Sequence, residues 1–174
     1  MSTVNPNNRT PELIFQSRSE SETREFGVLL SRFVFPGLLI LLSGDLGTGK
    51  TVIVRGIVKG LSGRNVRSPS FTLVNEYAAD IPVTHADLYR LPVRCHEDLG
   101  LEEALQEGHL VLVEWSQNWK EPPLYETWQC FFDLPDAVSS SDQRLIRIRA
   151  FGEKASASLE KAEKAISGKE DESQ

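Results

Sequence analysis

The chain has 174 residues and a mass of 19.5 kDa, the size of one ordinary domain, which excludes a large multidomain machine. Apolar residues make up 40% and charged residues 25%, the mixture of a globular chain that can bury a core. With 25 acidic against 19 basic residues, the net charge of -6 argues against unaided nucleic-acid binding, because phosphate backbones are held mainly by clustered Lys and Arg.

Residues 1–11 are a polar stretch without an apolar h-region, so a disordered lead-in is expected and a secretory signal is not. Leu13, Ile14 and Phe15 form a short apolar run that reads as a strand. The Ser- and Glu-rich segment after it offers N-cap residues for a helix whose buried face is Phe26, Leu29, Leu30 and Phe33, at i, i+3, i+4 and i+7. Pro36-Gly37 ends that helix. Leu38 to Leu42 is a continuous aliphatic run, the pattern of a central strand covered on both faces. It is also the longest apolar stretch, far short of the roughly 20 residues a membrane span needs. A soluble, cytoplasmic protein with no membrane contact is therefore expected.

After a glycine-rich loop, Thr51 to Leu61 has helical spacing in Val52, Ile53, Ile57 and Val58. Phe71 to Tyr77 and Val83 to Leu88 read as strands, Glu97 to Gln106 as a short helix, and His109 to Trp115 as an aliphatic strand. Thr127 to Leu134 and Arg144 to Phe151 alternate in the manner of edge strands. From Gly152 to Gln174 there are no aromatics and few large apolar residues, which reads as a loosely attached helix with a Leu159, Ala162, Ile166 stripe and a disordered end. Interleaved strands and helices give an α/β fold in a single domain over 12–151, a sheet of mixed strands flanked by helices.

Cys95 and Cys130 lie in no Cys-x-x-Cys motif, and His85, His96 and His109 are scattered. Two half-buried reduced thiols are the expectation, and any metal would need oxygen ligands.

Gly44-Asp45-Leu46-Gly47-Thr48-Gly49-Lys50-Thr51 fits G-x-x-x-x-G-K-[ST], the phosphate-binding P-loop, so the expected sheet is P-loop NTPase-like. Its glycines let backbone N–H groups turn onto phosphate oxygens, at the positive end of the helix that follows. Lys50 is placed to reach the β- and γ-phosphates, and the Thr51 hydroxyl to hold Mg²⁺. Such a site also needs carboxylates, and two acids end candidate strands: Glu114 after Leu110-Val111-Leu112-Val113, and Asp87 after Val83-Thr84-His85-Ala86. Each reads as a site carboxylate or as a surface acid at a strand end. Ser68-Pro69-Ser70-Phe71-Thr72 reads equally as a plain turn or as a switch whose hydroxyls sense phosphate or water. Trp115 reads as core, with a partner-facing aromatic as the alternative.

Taken together, the P-loop, Ser68 to Val74, His85-Ala86-Asp87-Leu88-Tyr89-Arg90-Leu91 and Val113-Glu114-Trp115 closely resemble the bacterial TsaE (YjeE) family, over roughly Leu13 to Phe151. That family is the ATPase component of tRNA threonylcarbamoyladenosine biosynthesis. The resemblance implies that ATP and Mg²⁺ are bound and that the partners are the threonylcarbamoyl transferase subunit and its paralogous scaffold subunit, with tRNA met only indirectly. It implies catalytic roles for Lys50, Glu114 and Asp87, metal contacts for Thr51 and Glu114, and a switch over Ser68, Pro69, Ser70, Phe71 and Thr72. It places Gly44 through Val52 on the nucleotide and Thr23, in the Ser19 to Thr23 stretch, near the adenine. Ser70 stands where the family usually has Thr, and Val52 where a second Thr often follows the loop, which removes a hydroxyl contact to the α-phosphate.

Three activities fit these residues: a slow ATPase completed by a partner, a nucleotide-gated binding module of the same complex without essential hydrolysis, and a small-molecule kinase. The kinase reading needs an Arg-rich lid, and Arg64, Arg67, Arg90 and Arg94 are not clustered as one in the sequence. A GTPase is disfavoured because no Asn-Lys-x-Asp is present to read guanine.

Overall fold

The structure, a computed structural model, describes residues 10–63, 66–69, 72–90, 99–135 and 143–168. Its elements run β1 (Glu12–Ser17), α1 (Glu20–Leu30), β2 (Leu39–Gly44), α2 (Lys50–Gly60), β3 (Val74–Tyr77), β4 (Val83–Asp87), α3 (Leu101–Gln106), β5 (Leu110–Glu114), β6 (Thr127–Asp133), β7 (Arg144–Phe151) and α4 (Glu153–Ile166). The seven strands form one mixed sheet in the order β1-β7-β6-β2-β5-β4-β3. The four strands β6, β2, β5 and β4 are mutually parallel, and β7, β1 and β3 pair antiparallel on either side of them.

The aliphatic run at β2 has its cause in this arrangement. Leu38, Ile40 and Leu42 point into one apolar cluster with α1, α2 and α4, while Leu39 and Leu41 point into a second cluster that includes Leu101 and Ala104 of α3. Both faces of β2 are covered, so no position along Leu38 to Leu42 tolerates a polar side chain.

Helix α1 starts where Ser19 caps it, with the Glu22 N–H donating to Ser19 Oγ at 3.1 Å. Its buried face is Thr23, Phe26, Gly27 and Leu30, with Leu29 and Phe33 only partly buried. The face is rotated from the expected stripe because α1 meets α2 through glycines. A Cβ on Gly56 would overlap the Arg24 carbonyl oxygen, and one on Gly27 would stand 2.5 Å from the Ile53 carbonyl oxygen. The two backbones pack directly, and that contact fixes α2 and the loop that precedes it.

Two expectations are corrected. β6 and β7 are interior strands, since the sheet margins are β1 and β3. Their alternation arises because helices cover one face of this half of the sheet and leave the other open, where Arg147 pairs with Asp133 and Arg149 with Glu12 at 2.7 Å. An alternating pattern reports a half-covered face, not a position at the margin. Nor is the helix after Gly152 loosely attached. In α4, Ala155, Leu159 and Ala162 are buried in the main cluster, with Ile166 packed against it. The buried Trp128 indole donates to the Ala155 carbonyl at 3.0 Å, and the Ala155 N–H donates to the Glu126 carboxylate at 2.6 Å. Alanine supplies most of this face, so the helix lies close to the sheet without large side chains to announce it.

Of the two cysteines, Cys130 is buried within β6. Cys95 and His96, like residues 1–9 of the lead-in and residues 169–174 of the polar end, lie outside the described residues.

Candidate functional site

The P-loop joins the end of β2 to the start of α2, at the carboxyl edge of the parallel strands, where open α/β sheets bind ligands. Gly44 and Gly49 have φ of 150° and 102°, and a Cβ at Gly44 would stand 2.6 Å from the Phe132 carbonyl oxygen. Only glycine fits this path. The Thr48 hydroxyl donates to the Asp45 carbonyl at 2.8 Å and holds the loop closed on itself.

Lys50 is nearly fully buried. Its ammonium donates to the carbonyls of Gly44 and Asp45, each at 2.7 Å, and lies 4.1 Å from the centre of the Trp115 ring. Burial pushes its pKa below the ordinary lysine value, against the opposing pull of Glu114, Asp87 and Asp45.

Glu114 and Asp87 end neighbouring parallel strands and face each other in register. The Thr51 hydroxyl donates to both Glu114 carboxylate oxygens, at 2.9 and 2.8 Å. The buried His85 imidazole lies on the same carboxylate, Nε2 to Oε1 at 2.8 Å. Asp87 accepts the Tyr89 N–H at 2.9 Å on Oδ1. A cavity of about 410 Å³ opens over these groups, lined by Leu46, Gly47, Gly49, Lys50, Thr51 and Val52 of the P-loop segment and by Asp87, Glu114, Trp115 and Ser68. Glu20, Tyr89, Arg90 and Arg144 complete its wall.

The other sequence-derived candidates divide as follows. Gly44, Asp45 and Thr48 shape the loop from behind the cavity wall, through the contacts just given. Thr23 does not line the cavity: it is fully buried, and its hydroxyl bonds to the Ser19 carbonyl and to Ser17 Oγ. From that stretch it is Glu20 that reaches the wall. Ser68 lies on the wall, the Pro69 carbonyl accepts the Leu73 N–H at 2.7 Å, and the Thr72 hydroxyl donates to Asn75 Oδ1. Ser70 and Phe71 lie outside the described residues, as do Arg64 and Arg94. Trp115 is partly buried, with a left-handed φ of 58°, and its ring packs against Tyr89 at 4.6 Å. A bulky residue held there carries backbone strain.

Sequence reasoning did not single out His85, Glu20, Tyr89 or Arg144 as site residues, and it weighed Arg90 only as a lid. Tyr89 and Arg90 were within reach, since they stand two and three positions after Asp87 in the same motif. Arg144 had no local signal, because it enters the site from the first residue of β7.

Thr51 and Glu114 offer oxygen donors within 3 Å of one another, the ligand type that Mg²⁺ prefers. No group of three or more His, Cys, Asp and Glu side chains able to hold a metal occurs among the described residues. The described residues alone make no cage, and Thr51 and Glu114 fit an ion that arrives with phosphate oxygens and water.

A glycine loop between a central parallel strand and a helix, with a buried lysine and two carboxylates at adjacent strand ends, defines a P-loop nucleotide-binding protein. The family model "Threonylcarbamoyl adenosine biosynthesis protein TsaE" matches residues 17–139. The chain belongs to the TsaE family. Among its relatives, "tRNA threonylcarbamoyladenosine biosynthesis protein TsaE" of Rickettsia conorii is 45% identical over 116 residues, covering 62% of this chain and 65% of that protein. The chain thus spans a little under two thirds of that relative's length. The protein of the same name from Bacillus subtilis is 34% identical over 143 residues, covering 81% of this chain and 87% of the relative. The crystal structure of Bacillus subtilis YdiB superposes with a TM-score of 0.76 at 27% identity, covering 92% of this chain and 99% of the other.

Proposed function

We propose that this chain is a Mg²⁺-dependent ATPase that serves tRNA threonylcarbamoyladenosine biosynthesis in the cytoplasm, in complex with the threonylcarbamoyl transferase subunit and its paralogous scaffold subunit. The observation that carries the reading is the hydrogen bonding of Thr51 to Glu114 beneath the loop, with Asp87 in register beside it. The family's place in that biosynthesis supports the pathway. The acidic charge of -6 supports the division of labour, in which partners hold the tRNA.

The site's own groups account for the chemistry in turn. P-loop N–H groups take the phosphate oxygens at the start of α2. Lys50 exchanges the Gly44 and Asp45 carbonyls for phosphate oxygens, a trade of neutral acceptors for charged ones that strengthens its hydrogen bonds. Thr51 and Glu114 would hold the Mg²⁺, which would supply neutralisation of charge on the phosphates. Asp87 orients the attacking water as a carboxylate acceptor at the strand end beside Glu114. Arg90 and Arg144 on the wall add positive charge facing the phosphates. Turnover is slow in isolation, and a partner completes the site.

The test is phosphate release by the purified chain, with Lys50→Ala and Glu114→Ala beside it. Equal release from all three sinks the ATPase. A second reading, in which nucleotide occupancy gates docking without essential hydrolysis, is favoured by the exposed Leu46 and Tyr89 at the cavity wall. Pull-down of the transferase partner in ATP, ADP and a slowly hydrolysed analogue separates the two.

A further inference from the structure

Behind the Glu114 carboxylate, the buried His85 and the partly buried Tyr77 form a continuous line of polar side chains that the nucleotide chemistry does not use. Glu114 Oε1 meets His85 Nε2 at 2.8 Å, and His85 Nδ1 meets the Tyr77 hydroxyl at 3.4 Å. The Tyr77 hydroxyl donates to the Arg67 carbonyl at 2.7 Å and accepts the Arg67 N–H at 3.3 Å. Asn75 Nδ2 reaches the same carbonyl at 3.1 Å. Arg67 immediately precedes Ser68, which lines the nucleotide cavity.

We propose that His85 and Tyr77 are positioning residues that couple the Glu114 carboxylate to the backbone at Arg67 and Ser68, so that the segment bounding the cavity responds to what Glu114 holds. The inference rests on the nucleotide-site reading above for what Glu114 holds, but the linkage itself does not.

The hydrogen bonding gives the coupling its direction. A carboxylate only accepts, so His85 carries its proton on Nε2 toward Glu114 and turns a bare Nδ1 toward Tyr77. The tyrosine has one hydroxyl proton and two acceptors for it. The Arg67 carbonyl at 2.7 Å holds it, and His85 Nδ1 at 3.4 Å is the competitor. Freeing or moving Glu114 releases the imidazole, its Nδ1 closes on the hydroxyl, and the Arg67 carbonyl loses its donor. His85 is fully buried and sits in β4 between β3, which carries Tyr77, and β5, which carries Glu114. The line therefore crosses three adjacent strands, buried from Glu114 to His85 and reaching the exposed backbone of Arg67 through the partly buried Tyr77.

The experiment measures backbone amide exchange at Arg67 and Ser68 in the full chain, first without ligand. Tyr77→Phe and Glu114→Ala are each expected to raise that exchange about 5- to 10-fold, the effect of one lost hydrogen bond. The double variant is expected to rise no further than either single one. Glu114→Gln, which keeps an oxygen acceptor for His85, is expected to restore near-native exchange. Amides in β6 serve as the control, and an equal rise there marks general loosening and overturns the relay. Unchanged exchange at Arg67 in Glu114→Ala, or fully additive effects in the double variant, also overturns it. A second arm adds Mg²⁺ and a slowly hydrolysed ATP analogue: exchange at Arg67 is expected to change in the native chain and not in Tyr77→Phe, and an identical change in both overturns the relay. Failure of the native chain to bind the analogue refutes the nucleotide reading instead, and the ligand-free comparison then decides the relay by itself.

Discussion

The Thr51 hydroxyl is shared between the two carboxylate oxygens of Glu114, at 2.9 and 2.8 Å, across 63 residues of sequence. Both groups sit under the P-loop, so loss of either removes an oxygen donor from the Mg²⁺ site. Thr51→Ala and Glu114→Gln are expected to weaken Mg²⁺-dependent nucleotide binding by about 10- to 100-fold. Binding measured in excess chelator is expected to change far less, because the loop N–H groups and Lys50 remain. Equal losses with and without Mg²⁺ exclude the metal role.

Gly56 and the Arg24 carbonyl set the distance between α1 and α2. Gly56→Ala raises helix propensity but forces two backbones apart, and overpacking of this kind costs about 1–3 kcal/mol. Thermal unfolding is expected to drop by several degrees. Because α2 carries Lys50 and Thr51, nucleotide affinity is expected to fall with it. A melting point at or above the native one shows that the helices separate freely.

Burial raises the Cys130 thiol far above its ordinary value of 9.0. The neutral thiol is favoured in the folded chain, so its contribution to stability is complete below about pH 9 and is lost as the pH climbs toward the folded-state value. In a Cys95→Ser background, maleimide labelling of Cys130 is expected only in denaturant, and Cys130→Ala is expected to flatten the alkaline loss of stability. Rapid labelling of the native chain at neutral pH contradicts the burial.

Leu159 anchors α4 to the sheet. Leu159→Ala is expected to destabilise the protein by about 2–5 kcal/mol, measured by urea unfolding. A change under about 0.5 kcal/mol, the usual effect at a surface site, restores the picture of a loose appendage.

The P-loop was legible because its signal is local: glycines, lysine and threonine within eight consecutive residues, with φ values only glycine takes readily. Glu114 and Asp87 were legible as acids at the ends of apolar runs, yet their pairing required the parallel register that puts β4 beside β5. The same register brings His85 to Glu114, and no spacing rule joins residues 29 positions apart through a strand pairing. The alternation in β6 and β7 recorded one open face and was silent on strand order. In α4 the buried face is largely alanine, which composition scores as neutral and close packing uses fully.

Arg144 is the clearest case of a site residue supplied by the fold alone. β7 runs antiparallel to β6, and Arg144 at its first position arrives beside the P-loop, where its side chain would stand within 3.2 Å of a Cβ placed on Gly49. A guanidinium on the cavity wall interacts with phosphate as a donor fork as well as a charge. Arg144→Ala is therefore expected to weaken ATP binding about 10-fold or more, within the range for a charge-assisted hydrogen bond. Arg144→Lys keeps the charge but not the fork, and is expected to recover only part of the loss. Isothermal titration with ATP and with adenosine distinguishes the contacts, since adenosine lacks the phosphates and its binding should not respond to either variant. Equal loss for both ligands assigns Arg144 to the nucleoside or to the fold rather than to the phosphates.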